Sequence, residues 1–324
     1  MPEETTAPAQ RHLPVLLQAC IDLLVPALQR PGSLYVDATL GMGGHAAAIL
    51  RAAPEARLLG IDRDAQALEL ARTRLTEEGF ADRIDLVHTT YDRIPAVLAD
   101  RGRDGADAIL MDLGLSSFQI DTADRGFSYS EDAPLDMRMD TDADTPTAAD
   151  LLRDLDAAQI ADILHRYGDE RFARRIASHI VRARQQQPLQ RSSQLVALLE
   201  TAVPAASRRT GGHPAKRTFQ ALRIAVNEEL EILARALDGA LDSLAVDGRI
   251  AIESYHSGED RMVKNAFARR TRSSAPPGLP VELEEHRPTF EALTRGAQRA
   301  DPGEIGRNSR AASVRLRAAR RIRR

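Results

Sequence analysis

The chain has 324 residues, 43% hydrophobic and 28% charged, with a formal net charge of −3. This is the balance of a folded globular chain, long enough for one large or two modest domains, and not that of a disordered or fibrous one. Its single cysteine, Cys20, excludes an internal disulfide and any cluster built on several cysteines, and no apolar run reaches bilayer-spanning length.

The opening M-P-E-E-T-T-A-P-A-Q has neither a basic start nor an apolar core, which predicts a disordered leader and a cytoplasmic protein. From Leu13 to Leu24, apolar residues at Leu17, Cys20, Ile21 and Leu24 keep helical spacing, with Cys20 as a small buried hydrophobe. Alternating units follow: strand 34–37 and helix 44–53, strand 57–62 and helix 64–78, strand 84–88 and helix 92–100, then strand 107–112. Such alternation predicts right-handed crossovers and a parallel sheet covered on both faces. Residues 119–150, with Gly126, Pro134, Pro146 and many aspartates, have no usable period and read as a long loop. Helical spacing returns from Ala157 to Arg184 and near Ser193–Val203, up to a Gly211-Gly212 break. Phe219, Leu222, Val226, Leu230, Leu233, Leu237, Leu241 and Leu244 then predict one long helix crossing to strand Arg249–Ser254. Helix 258–270, a loop over 273–280 and a final strand pair around Ser313–Ala318 complete the α/β pattern.

The turn after the first strand, A-T-L-G-M-G-G-H, holds Gly41, Gly43 and Gly44. Glycines there permit φ > 0 and a close ligand approach, and the helix start behind them offers free N–H groups. Alone, the pattern is equally an ordinary strand-to-helix turn. The second strand, however, ends on Asp62 about 20 residues later, where doubly wound folds set a carboxylate on ribose hydroxyls. Together they predict an adenosine-bearing cofactor. Ligands of such sheets lie beyond the strands' carboxyl ends, here Asp37, Asp62, His88 to Tyr91, Asp112 and Ser254 to Ser257. Acids at those ends favour a cation such as a sulfonium. The small-residue turn Leu113-Gly114-Leu115-Ser116-Ser117 leaves room for a second ligand, although Asp112 also suits a turn cap.

The near-neutral total hides an asymmetry. From Ile160 to Arg217 there are eleven basic residues, among them Arg171, Arg174, Arg175, Lys216 and Arg217, against four acids. The stretch Arg307–Arg324 adds eight arginines and no acid. Such surfaces attract polyanions, or are simply solvated helix faces. The eight histidines lack the spacing of a metal site, and no metal is expected.

Several long motifs resemble one known family: H-L-P-V-L-L (12–17), D-A-T-L-G-M-G-G-H (37–45), D-L-G-L-S-S-F-Q-I-D (112–121) and R-G-F-S-Y-S-E-D-A-P-L-D-M-R-M-D (125–140). Y-G-D-E-R-F-A-R-R-I (167–176), H-P-A-K-R-T-F-Q-A-L-R-I-A-V-N-E-E-L (213–230) and S-Y-H-S-G-E-D-R-M-V-K (254–264) extend the likeness. The family is the bacterial ribosomal RNA small subunit methyltransferase H, which methylates N4 of a cytosine in the decoding (P-site) region of 16S rRNA. The resemblance implies a class I (Rossmann-like) S-adenosylmethionine-dependent methyltransferase sheet in residues 1–134 and 213–324, the latter with a basic tail. It implies a helical insertion for RNA recognition over 135–212, and the small ribosomal subunit as partner, with no membrane. The cofactor contacts it implies are Gly43, Gly44, His45, Asp62, Tyr91, Asp112 and Gln119. Tyr91 stands where relatives often have Phe, and the last strand matches only loosely.

An exocyclic amine is a poor nucleophile because its lone pair is delocalised into the ring, so a hydrogen-bond acceptor on N4 is expected. Asp112 is the first candidate, with Ser116, Ser117 and His256 behind it, although the resemblance gives Asp112 to the cofactor. Phe127, Tyr129 and Tyr255 are candidates to stack on an extruded base. Methylation at C5 would need a cysteine nucleophile, and Cys20 sits in the leading helix, away from the strand ends. Two other readings compete: a nicotinamide-dependent oxidoreductase on the same sheet, and an RNA-binding assembly factor with a vestigial pocket.

Overall fold

Short apolar runs bounded by turns form the parallel centre of one sheet. In the computed structural model, which describes residues 14–204, 213–276 and 283–324, strands β1 (Leu34–Asp37), β2 (Arg57–Asp62), β3 (Ile84–His88), β4 (Ala106–Asp112) and β5 (Leu244–Ser254) run parallel. With β6 (Phe290–Ala292) and β7 (Arg315–Arg321) the order is β3-β2-β1-β4-β5-β7-β6, and β7 is antiparallel to both neighbours. All four residues of β1 are buried, as expected for a central strand covered on both faces. The leader, the Gly211-Gly212 break with Arg208 and Arg209, and part of the 273–280 loop lie outside the described residues.

The chain divides into two compact units, residues 1–114 with 230–324, and residues 115–229. In the first, Leu24, Tyr35, Ile49, Leu50, Leu58 and Leu75 cover one face of the sheet, and Val36, Ile61, Ile109, Leu237, Leu241 and Ile252 the other. The second unit has its own core, from Phe127, Leu135 and Met137 to Leu164, Ile176, Leu199, Phe219 and Leu222. It is therefore wider at both ends than the 135–212 span expected from sequence. The segment before Leu135 contributes Phe127, and the helix Ala215–Asn227 contributes its apolar face.

The single long helix expected across 219–244 is two helices, Ala215–Asn227 and Glu229–Asp242, with Leu244 already in β5. Glu228 adopts φ 49°, a left-handed conformation that redirects the chain without disturbing the three-to-four spacing of apolar residues. Phe219 and Leu222 thus join the second unit's core, while Leu233, Leu237 and Leu241 pack on the sheet. Asp169, at φ 49°, likewise splits the expected 157–184 run into helices Ala157–Gly168 and Ala173–Arg184.

The arginine-rich C-terminal stretch is not a free tail. Arg315 and Arg317 both pair with Asp260, Arg320 with Glu291, and Arg321 donates to the carbonyls of Asp242 and Leu244. Arg323 donates to the Pro288 carbonyl and pairs with Glu284. These charges neutralise acids and satisfy chain ends beside β7, so most are spent inside the fold.

Within the second unit, Gly168 closes helix Ala157–Gly168 where it meets helix Ala215–Asn227; a Cβ there would stand 2.6 Å from the Arg217 carbonyl oxygen and 3.1 Å from the Ala221 Cβ. Backbone cannot yield as a flexible side chain can. Gly168→Ala should lower stability by about 2 kcal/mol, the usual cost of overpacking, read as a lower denaturant midpoint.

Candidate active site at the carboxyl ends of the strands

β1 ends on Asp37 and leads into the glycine turn. The Gly43 amide donates to the Leu40 carbonyl (2.8 Å), and Gly43 takes φ 74° as the N-cap of helix Gly44–Ala52. A β-substituted residue would be strained there, so the turn selects glycine for its backbone. Asp62, at the end of β2, clasps this turn: its Oδ2 accepts from the Gly41 amide (2.7 Å) and its Oδ1 from the Asp64 amide (2.9 Å). Both carboxylate oxygens keep lone pairs for further donors.

Asp37 is buried, accepting from the Tyr35 hydroxyl (2.8 Å) and the Thr39 amide (3.3 Å). Burial pushes its carboxyl up to about 6, against the lowering influence of His45 and the Tyr35 hydrogen bond. Asp62 keeps part of its surface open, yet its enclosure also raises it to about 6, with the amides of Asp64 and Gly41 opposing. His45 is buried, its Nε2 3.0 Å from the Val15 carbonyl and its Nδ1 3.8 Å from Asp112 Oδ2.

At the end of β4, the Asp112 amide donates to Thr39 Oγ1 (2.6 Å), linking the β1 and β4 termini. The Asp112 side chain is 28% exposed, and its Oδ1 accepts from the Tyr255 hydroxyl (2.8 Å). Tyr255 is thereby tethered beside the strand ends. Of the other candidate stacking aromatics, Phe127 is in the second unit's core, and Tyr129 stacks on His213 (4.7 Å) and meets Phe219 edge-on. His256 caps helix Ser257–Thr271, its Nδ1 accepting from the Gly258 amide and its Nε2 3.3 Å from Glu259. Ser116 and Gln119 form the reciprocal cap of the short helix Ser117–Asp121 in the second unit. Tyr91 opens a turn of helix after β3 and packs partly buried on the sheet.

Cys20 departs from expectation. Far from lying away from the strand ends, it is buried under them, its thiol donating to Glu253 Oε1 (3.3 Å). Cys20, His45 and Glu253 bring donor atoms within 4.8 Å of one another, the one such group among the described residues. Burial pushes both the thiol and the Glu253 carboxyl well above their ordinary values. A protonated, inaccessible thiol is a poor nucleophile. Glu253 was not among the sequence-derived candidates; its signal was an acid within the otherwise apolar run R-I-A-I-E-S.

In the second unit, Arg171, Arg174, Arg175 and Lys216 are exposed, and half-buried Arg217 donates to the Asp169 carbonyl (3.3 Å). Ile176, Ala177 and Ile180 hold the opposite face of helix Ala173–Arg184 in the core, which turns Arg174 and Arg175 outward.

The strand order, with a reversed β7 next to β5, is that of the class I methyltransferases, a Rossmann-like fold. The chain belongs to the MraW methylase family, whose sequence profile matches residues 9–322. It is 57% identical over 318 residues to the ribosomal RNA small subunit methyltransferase H of Mycolicibacterium paratuberculosis, covering 96% of this chain and 82% of that one. To the proteins of that name from Beutenbergia cavernae and Thermobifida fusca it is 58% and 53% identical, covering 97% and 99% of this chain and 94% and 97% of theirs. No helix among the described residues is long and apolar enough to cross a membrane.

Because Asp37 binds its proton more tightly folded than unfolded, its contribution to stability is full below about 3.8 and is lost as pH rises through about 6. Asp37→Asn removes this titration. The fall in stability of the ligand-free protein between pH 5 and 7.5 should shrink by about 1.4 kcal/mol in that variant, measured by denaturant melts.

Proposed function

We propose that this methyltransferase uses S-adenosylmethionine to methylate N4 of a cytosine in the decoding (P-site) region of 16S rRNA. The single observation carrying the reading is Asp112: a half-open carboxylate at the end of β4, with one oxygen engaged by Tyr255, beside the turn that Asp62 clasps. The names borne by the similar proteins support ribosomal RNA of the small subunit as substrate. The strand-end groups suit the methyl donor, since carboxylates at Asp37, Asp62 and Asp112 favour a cation and accept from ribose hydroxyls, and the glycine turn leaves backbone amides at a helix start.

When bound, S-adenosylmethionine supplies a methyl group carried on a sulfonium. Gly43, Gly44 and His45 would line its backbone-facing side, Asp62 would take the ribose, and Tyr91 and Gln119 would complete its contacts. Asp112 Oδ2 would accept a hydrogen bond from N4, favouring a pyramidal nitrogen with a freed lone pair, and then take the proton lost as the N–C bond forms. Positioning supplies much of the remaining acceleration. Ser116, Ser117 and His256 are the further candidates after Asp112; Ser116 and His256 already cap helices, structural work they do whether or not they touch substrate. Arg171, Arg174, Arg175, Lys216 and Arg217 would hold RNA phosphates.

Asp112→Ala expressed in a strain lacking the gene should leave 16S rRNA without N4-methylcytosine, read by nucleoside mass spectrometry. Normal methylation by that variant would overturn the reading, and normal ribosome maturation without methylation would separate an assembly role from the chemistry. Asp62→Ala should weaken S-adenosylmethionine binding at least tenfold in calorimetry, consistent with a lost charged hydrogen bond, and leave RNA affinity unchanged. Neutralising Arg171, Arg174 and Arg175 together should weaken RNA binding and reduce the slope of log K against log salt by about 3.

A further inference from the structure

Beneath Asp112 lies a line of polar hydrogens for which the proposed reaction has so far found no use. Cys20 Sγ donates to Glu253 Oε1 at 3.3 Å, and the Tyr255 hydroxyl lies 2.8 Å from Asp112 Oδ1 and 3.4 Å from Glu253 Oε2. A phenol has one hydrogen to give. At 2.8 Å it goes to Asp112, so Glu253 Oε2 faces the phenol oxygen's lone pairs. That contact is favourable only if Oε2 carries a hydrogen. Glu253 is fully buried, and no lysine or arginine pairs with it among the described residues. The titratable groups around it are Cys20 from the leading helix, Asp112 from β4 and Tyr255 after β5, with Asp37 and Tyr35 from β1 and His45 from helix Gly44–Ala52 close by.

We propose that Glu253, as a neutral acid, and Tyr255 are positioning residues for the reaction. Together with Cys20 they form a one-way chain of donors, thiol to carboxyl, carboxyl to phenol, phenol to carboxylate, that ends on Asp112. The chain pins Oδ1 and leaves Oδ2 as the acceptor for the amine. This rests on the reading that Asp112 accepts from N4. It also distinguishes two roles that the residue types alone would confuse: Glu253 serves as a hydrogen donor, and needs no negative charge.

Three variants test it on the purified full-length protein with its RNA substrate. Tyr255→Phe should lower kcat tenfold or more with the KM for S-adenosylmethionine unchanged. Glu253→Gln keeps an acceptor for the thiol and an N–H for the phenol, and should retain kcat within about threefold. Glu253→Leu removes both and should behave as Tyr255→Phe does; if it fails to fold, the first two variants decide. A Tyr255→Phe enzyme with parental kcat, or a Glu253→Gln enzyme as inactive as Asp112→Ala, would overturn the proposal. If Asp112→Ala itself methylates normally, it is the parent reading that fails.

Discussion

One end of a parallel sheet gathers acids that no lysine or arginine answers among the described residues. Asp37, Asp112 and Glu253 have no lysine or arginine partner among the described residues, and Asp37 and Glu253 are buried almost completely. Carboxylates so placed must be held by hydrogen bonds, protonated, or met by a positive ligand. Tyr35 and Thr39 serve Asp37, burial pushes the Glu253 carboxyl upward, and Tyr255 holds one oxygen of the part-exposed Asp112. The apolar layers on both faces of the sheet exist, in functional terms, to keep that imbalance dry and fixed.

Much of this was legible in the residues. β1, β2 and β3 fall where apolar runs bounded by turn residues place them. What periodicity could not show is a change of direction that preserves it. Glu228 and Asp169 take left-handed conformations that the apolar spacing does not register, and helices read as continuous are in fact broken there. The hydrogen-bonded chain under Asp112 was hidden for another reason. Cys20 and Glu253 lie 233 positions apart, and only the register between β4 and β5 and the packing of the leading helix bring them together. Composition identifies a buried cysteine, but not the acid it touches.

Arginines show the same limit from the opposite side. A count of charges treats those of helix Ala173–Arg184 and those of β7 alike. The structure separates them by what lies within reach: Arg174 and Arg175 face solvent, whereas Arg315 and Arg317 converge on Asp260 from alternate positions of one strand. Arg184, on that same helix, turns inward to the carbonyls of Leu152 and Leu155. Charge invites a polyanion only where the fold has not already used it.

The place of β7 bears on how the molecule is made. It is the last of the seven strands to emerge during synthesis, yet it fits between two earlier ones, β5 and β6. Until it arrives, the short Phe290–Ala292 segment has no partner and the apolar β5 presents a bare edge of unpaired amides and carbonyls. The nascent chain therefore passes through a stage at which its sheet is open to pairing with a foreign strand. The arginines of β7 lower the chance that this strand pairs with the wrong edge first.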